Sequence, residues 1–368
     1  MKILRVASDL YPYVVGGVTL HVHDLSKDQS ESGYEVTIYT CFSDVTGEIE
    51  PPANYTIQNF GRDFVIAGNT ISPKMFLDIL KNCNTYDIVH AHSHLYFSTL
   101  LCALIRRFRK FNLVITNHGL ISQTVPDWFQ KMYNATAGRF IFSSADLVIT
   151  YTKEEGDLIA SWEGRSDNIR IIHNGIKVER FLTPLHVSKK KQILWIGRYV
   201  PGKGAKYLLE GFAVFTQNHP EYSVLMIGRG PEKELMRELT EQLGIADKVT
   251  MVDFFPNTEL QKIYEESTVF VSASLAEGVP KTMLEAMICG LPVISTNLPQ
   301  LVDIVDGCGL IVPCMDSQAI ADAMEMMISH PDLMKYYGEN ARHKVLTSYD
   351  WKDTVQKTNE VFENLIKS

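Results

Sequence analysis

Two successive series of short β-branched runs constrain this chain more than any other feature, because each run ends in small or polar residues and leaves room for a helix before the next. The first series is Ile3 to Ser8, Glu35 to Thr40, Asp87 to His92, Leu113 to Asn117, Leu147 to Thr152 and Arg170 to His173. The second is Ile193 to Gly197, Ser223 to Gly228, Val249 to Phe254, Val269 to Ser274, Pro292 to Thr296 and Leu310 to Pro313. Continuous apolar strands alternating with helices belong to parallel sheets covered on both faces. The expected fold class is therefore α/β, with two Rossmann-like, doubly wound parallel-sheet domains. A length of 368 residues agrees with two domains, at roughly 100 to 200 residues each. Thr183-Pro184 and the polar run Lys189-Lys190-Lys191 interrupt the pattern, which predicts domains of 1–182 and 183–368. The last segment has helical spacing at Trp351, Val355, Val361, Phe362 and Leu365, so a helix over 350–368 is expected to cover either domain or cross back to the first.

Composition removes several function classes. Hydrophobic residues are 45% and charged ones 21%, an ordinary globular balance. Lys and Arg number 35 against 43 Asp and Glu, a formal charge of -8, which argues against nucleic acid as a partner. The six cysteines form no CxxC pair and suit reduced thiols in a cytoplasmic setting. No apolar stretch approaches the ~18 residues of a membrane span, and the N-terminus, interrupted by Asp9, reads as a strand rather than a leader. No short-period repeat is present.

Ligands of open α/β sheets bind beyond the carboxyl ends of the strands. After the first strand, Gly16-Gly17-Val18 opens a helix; two glycines there permit close approach of a phosphate to free N–H groups, or simply make a turn. After the seventh, Gly197-Arg198-Tyr199-Val200-Pro201-Gly202-Lys203-Gly204 carries two cations suited to a diphosphate, or two solvated surface charges. In Ser274-Leu275-Ala276-Glu277-Gly278-Val279-Pro280-Lys281-Thr282-Met283-Leu284-Glu285, Gly278 allows a tight turn, Pro280 suits an early helical position and Glu285 falls within the helix. Both carboxylates are good acceptors for sugar or ribose hydroxyls, and both also fit a helix-dipole and solvent reading.

Taken together, and in order along nearly the whole chain, these motifs resemble the retaining GT-B glycosyltransferases of family 4, a group that includes bacterial mannosyltransferases, sucrose synthases and lipopolysaccharide glycosyltransferases. The matching residues are Gly16-Gly17-Val18, His118 in Thr116-Asn117-His118-Gly119, Asn174-Gly175-Ile176, Gly197-Arg198 with Lys203-Gly204, and the E-x7-E pair Glu277 and Glu285 followed by Cys289-Gly290-Leu291-Pro292-Val293-Ile294. The resemblance implies a GT-B architecture with a central cleft, an acceptor side in the N-terminal domain and a donor side in the C-terminal one. It implies that Gly16 and Gly17 approach the donor diphosphate, that Arg198 and Lys203 neutralise it, and that Glu285 binds the ribose. Glu277 would hold the transferred sugar, with Gly278, Val279, Pro280, Lys281 and Thr282 lining the donor, and His118 would lie beside the reacting centre. His118, Arg198, Lys203 and Glu277 form the implied catalytic set. The implied reaction moves a hexose-type sugar from a UDP- or GDP-linked donor to a hydroxyl of a sugar or lipid-linked acceptor, with no cofactor and no metal. A sugar-nucleotide 2-epimerase and a non-catalytic sugar-nucleotide-binding subunit are the alternatives. The chain departs from the family pattern at Lys177 and at Asn297-Leu298-Pro299-Gln300.

Two further segments carry competing readings. His90-Ala91-His92-Ser93-His94 would place alternate imidazoles on one side of a strand, as a metal site needs, but it is also an ordinary strand end for this family and lacks a nearby Cys or carboxylate. Arg106-Arg107-Phe108-Arg109-Lys110 ends a helix, where cations suit the dipole, and it also offers a patch for the anionic cytoplasmic face of a membrane. The acceptor loops Phe42 to Asn54 and Leu120 to Trp128 have no transferable signature, and oligomeric state is not legible.

Overall fold

The run Lys2–Val6 (β1) buries every residue after Lys2, and its backbone pairs on both edges, with Glu35–Thr40 (β2) on one side and Ile88–His92 (β7) on the other. A strand covered on both faces is apolar over most of its length, and the exception here, Arg5, is buried with its guanidinium held by Ser26 and Gln29. The chain was analysed as a computed structural model that describes all residues except 14–15, 43–46, 50–52, 67–68, 121–125, 184, 186 and 368. The remaining strands of the first sheet are Gly47–Ile49 (β3), Thr56–Asn59 (β4), Leu113–Thr116 (β8), Leu147–Thr150 (β9) and Ile169–Ile171 (β10); Phe64–Ile66 (β5) and Asn69–Ile71 (β6) form a separate antiparallel pair. The sheet order is β10-β9-β8-β7-β1-β2-β4-β3, parallel throughout except for β3 against β4.

The second sheet consists of Gln192–Ile196 (β11), Ser223–Ile227 (β12), Val249–Val252 (β13), Val269–Ser272 (β14), Val293–Thr296 (β15) and Gly309–Val312 (β16), all parallel, in the order β13-β12-β11-β14-β15-β16. Both sheets are doubly wound. In the first, the strand order reverses between β1 and β7; in the second, between β11 and β14. A crevice opens at the carboxyl ends of such a reversal, because the two adjoining connections leave toward opposite faces. The twelve expected parallel strands all form. The short strands β3 to β6 are not anticipated by the sequence.

One compact unit comprises 1–120, 126–173 and 353–367, and the other 174–352. The division therefore falls after His173 and again after Lys352, rather than at the polar run 183–192, which stays with the second unit. There Lys191 pairs with Glu221 at 3.2 Å. The helix Trp351–Lys367 returns to the first unit through one fully buried residue and three polar ties. Phe362 sits among Ile3, Val22, Ile88 and Ile172, a burial that contributes about 1.5–3 kcal/mol. The Gln29 amide donates to Asn359 at 2.7 Å, Tyr34 to Glu363 at 2.7 Å, and Thr354 to the His173 carbonyl at 2.7 Å. Gln29 is itself held by the buried guanidinium of Arg5, which also donates to Ser26. Gly175 is needed where the two connections meet: a Cβ there would lie 2.6 Å from the Asp350 carbonyl carbon.

All six cysteines are free. No helix among the described residues is long and apolar enough to cross a membrane.

Candidate active site

In the second unit, the connection after β11 and the connection after β14 meet across the strand reversal. Gly204 makes the meeting possible. It has a φ of 62°, and a Cβ on it would lie 1.9 Å from the Ala273 carbonyl oxygen. On the other side of the contact, the amide of Leu275 donates to the Gly202 carbonyl at 2.8 Å. Lys203, at the end of the tight turn Pro201–Lys203, is thereby brought against Glu277, and the two side chains form an ion pair that is mostly shielded from solvent. Ser274 donates to the same carboxylate oxygen at 2.7 Å, and the Gln300 amide holds the Glu277 carbonyl. Gln300, one of the departures from the family pattern, thus fixes the backbone of the loop that carries Glu277.

Beyond Glu277 the chain turns at Gly278, buries Val279 and enters the helix Lys281–Ile288. Pro280 is the residue before the first helical turn, not within it, and no side chain caps the helix. The leading N–H groups of that helix carry partial positive charge and favour an oxygen-rich ligand. Thr282 lies in the first turn, and the Lys281 ammonium stands 4.9 Å from the Trp351 ring centroid. Glu285 is one turn further on, where the buried Tyr264 hydroxyl donates to it at 2.9 Å. Enclosure by protein raises the Glu285 carboxyl above its ordinary value, against the Tyr264 hydrogen bond and nearby Arg180 and Lys281, which pull it down. Arg198 is exposed, just past the carboxyl end of β11.

In the first unit, the connections after β1, β7, β8 and β9 supply a compact aromatic cluster. His21 lies on the helix Gly17–Glu31, His92 ends β7, His118 follows β8 and Tyr151 follows β9. His118 is the half-buried member; the other three are buried. Tyr151 meets His118 Nδ1 at 2.9 Å, and His92 Nδ1 meets His118 Nε2 at 3.1 Å. Desolvation holds Tyr151 well above its ordinary pKa and His92 well below, so the phenol keeps its proton and His92 is neutral. His118 is thus gripped at both ring nitrogens. Gly16 and Gly17 begin the helix that carries His21. Among the described residues, a Cβ would meet nothing closer than 3.8 Å at Gly16 and nothing within 4 Å at Gly17, so the surrounding protein does not demand glycine at either.

The comparisons with known proteins agree with this architecture. The family model for glycosyltransferase family 4 matches residues 15–180, and that for glycosyl transferases group 1 matches 181–344. The chain is a GT-B glycosyltransferase of the family 4 type. It is 25% identical to a GDP-mannose:cellobiosyl-diphosphopolyprenol alpha-mannosyltransferase of Xanthomonas oryzae, over 96% of this chain and 94% of that protein. To a D-inositol 3-phosphate glycosyltransferase of Corynebacterium jeikeium it is 27% identical, over 76% and 73%. The sucrose-phosphate synthase of Thermosynechococcus elongatus superposes with a TM-score of 0.82 at 20% identity, covering 100% of this chain and 99% of that one. Anabaena HepE in complex with UDP superposes with a TM-score of 0.79 at 19% identity, covering 99% and 100%.

Within this glycosyltransferase, Lys203 lies on the connection after β11, and Glu277, Gly278, Val279, Pro280, Lys281, Thr282 and Glu285 lie on the connection after β14 and its helix, with Lys203 and Glu277 paired at the strand reversal of the second unit. In the first unit, Gly16 and Gly17 stand at the start of the helix after β1, and His118 follows β8. Tyr264, Tyr151 and His21 are not singled out from the sequence, and His92 is weighed there only as one of three alternating imidazoles. His118 is taken from the family resemblance; Tyr151, just past the carboxyl end of β9, is marked only by the general rule that ligands bind beyond strand ends. The three-imidazole alternation at 90, 92 and 94 does not form. The strand ends at His92, Ser93 takes a φ of 62°, and His94 turns to Asn117 at 2.8 Å and Asn134 at 3.0 Å. His90 is occupied by Arg5 at 3.3 Å and Thr116 at 2.7 Å. Of the basic run, Arg106 is paired with Asp146 at 2.8 Å and Arg107 stacks over Phe140, while Phe108 is 81% exposed. Part of the acceptor loops, 43–46, 50–52 and 121–125, and Val14-Val15 of the glycine loop lie outside the described residues.

Proposed function

We propose that this glycosyltransferase moves a hexose-type sugar from a UDP- or GDP-linked donor to a hydroxyl acceptor with retention of anomeric configuration. The observation that carries the reading is the Lys203–Glu277 pair beside an uncapped helix N-terminus at a strand reversal. Cation, carboxylate and aligned N–H groups together match a diphosphate attached to a polyhydroxylated sugar. Lys203 and Arg198 bind the two phosphates, Glu277 accepts hydrogen bonds from sugar hydroxyls, and Glu285 from the ribose. Lys203 and Glu277 hold each other, and donor binding inserts phosphate and hydroxyl between them.

In the transfer step the acceptor oxygen forms its bond to the anomeric carbon on the face from which the phosphate oxygen leaves. The departing phosphate takes the acceptor's proton. Charge develops on the leaving diphosphate, where Lys203, Arg198 and the helix N-terminus stabilise it without reorganising. His118, fixed by Tyr151 and His92, positions the sugar. No metal or cofactor takes part in these steps. A carbohydrate acceptor on a lipid diphosphate is supported by the substrate in the name of the Xanthomonas relative, and the exposed Phe108 with its basic neighbours suits approach to an anionic membrane.

Proton NMR of reactions with UDP- and GDP-hexoses tests the reading. It predicts consumption of one α-linked donor, by transfer or slow hydrolysis, with an α-configured sugar as the first product. A β-configured first product would remove retention, and interconversion of the donor without release of nucleoside diphosphate would establish the epimerase instead.

A further inference from the structure

The histidine cluster of the first unit has a property that positioning a sugar does not require. His21, His92 and His118 come from three different elements, yet one ring nitrogen of each lies within 4.8 Å of the others. Their ring centroids are 5.0, 5.3 and 5.8 Å apart. His92 Nε2 is buried and has no hydrogen-bond partner among the described residues. A buried polar atom left without a partner is costly, and the fold tolerates this one beside two other imidazoles.

We propose that His21, His92 and His118 form a binding site for a borderline-soft divalent transition metal, Zn²⁺ in the first instance, and that its occupation blocks glycosyl transfer. Three imidazoles are a donor set that Zn²⁺ takes with a fourth position left to water. They discriminate against Mg²⁺ and Ca²⁺, which require oxygen ligands. The orphaned Nε2 leaves one nitrogen of His92 unclaimed by the protein, while His118 ligates by exchanging one of its two hydrogen bonds, to Tyr151 or to His92, for the metal. The inhibitory consequence rests on the proposed role of His118 beside the transferred sugar, whereas the binding itself does not.

Two readouts separate these claims. Titration of the untagged, metal-free protein with ZnCl₂ in a calorimeter is expected to show one equivalent bound per chain. Titration with CoCl₂ is expected to show the intense visible bands of tetrahedral Co²⁺. Both should be lost in His21→Ala and in His92→Ala, and kept in His330→Gln, an exposed histidine elsewhere. Anomalous diffraction from zinc-soaked crystals of the unaltered protein places the ion even if the variants fold poorly. Absence of a bound equivalent, octahedral cobalt spectra, or zinc seated away from the three rings overturns the site. Bound zinc with undiminished transfer overturns the inhibition and the placement of His118 at the reacting centre, while leaving the site intact.

Discussion

Gly204 and Gly17 make opposite demands on an alanine substitution, and the contrast separates a glycine the fold needs from one that a ligand needs. At Gly204, Ala must take a left-handed conformation, at about 1–2 kcal/mol. Its Cβ must also displace the Ala273 carbonyl from 1.9 Å, and such overpacking costs roughly 1–3 kcal/mol. Gly204→Ala is therefore expected to lose about 2–5 kcal/mol, a large part of the ~5–15 kcal/mol that holds a domain folded. It should also pull Lys203 away from Glu277. At Gly17, the first residue of its helix, the added methyl meets nothing within 4 Å. Helix propensity favours Ala there by up to about 1 kcal/mol. Gly17→Ala should thus melt at or above the wild-type temperature, yet bind the donor at least tenfold more weakly, about 1.4 kcal/mol, because the methyl occupies the approach to the diphosphate. Urea titration gives the stabilities, and calorimetry with the nucleoside diphosphate sugar gives the affinities. A stable Gly204→Ala protein would refute the stapling of the two loops. Full donor affinity in Gly17→Ala would refute the role of the glycine loop.

Glu285→Gln should leave stability unchanged or raised, since it removes a carboxylate whose ionisation burial disfavours while keeping an oxygen for Tyr264; donor affinity should fall roughly tenfold with the loss of charged acceptors for the ribose. With its pKa raised, Glu285 takes up its proton at a higher pH than an ordinary carboxyl on acidification. Donor affinity of the wild type should therefore decline on acidification at a higher pH than an ordinary carboxyl would give, and a pH series of calorimetric titrations reads the onset. Tyr151→Phe removes the 2.9 Å contact to His118 and should lower kcat about tenfold with little change in KM, measured by steady-state kinetics. Phe362→Ala should destabilise the first unit by about 3–5 kcal/mol, seen in thermal unfolding, because it empties the contact that anchors the terminal helix.

The parallel strands were legible because burial on both faces writes an apolar run directly into the chain, from Ile3 to Val312. The Glu277–Glu285 loop was legible because Gly278 and Pro280 fix a turn into a helix at known offsets. What stayed hidden depends on residues distant in sequence meeting in space. Tyr264 reaches Glu285 and Gln300 reaches the Glu277 carbonyl across separate connections, and no local period announces either. His21 reads as one more residue of an amphipathic helix until His92 and His118 are placed beside it. His94 shows the converse: the alternation rule predicts a shared face with His92, and a single left-handed residue, Ser93, cancels it. The division of the chain after His173 escaped for a similar reason, since the polar run 183–192 looks like a linker but is tied by Lys191 to Glu221.

The central claim, that the strand reversal of the second unit holds a nucleoside diphosphate, is tested most directly by melting the protein with excess UDP, GDP, ADP or NAD in the presence of a chelator. A ligand at about 100 times its dissociation constant adds roughly 2.7 kcal/mol of stability. A selective rise in Tm with UDP or GDP, abolished in Lys203→Met, is the predicted result. No rise with any nucleoside diphosphate, or a rise with NAD alone, would contradict it.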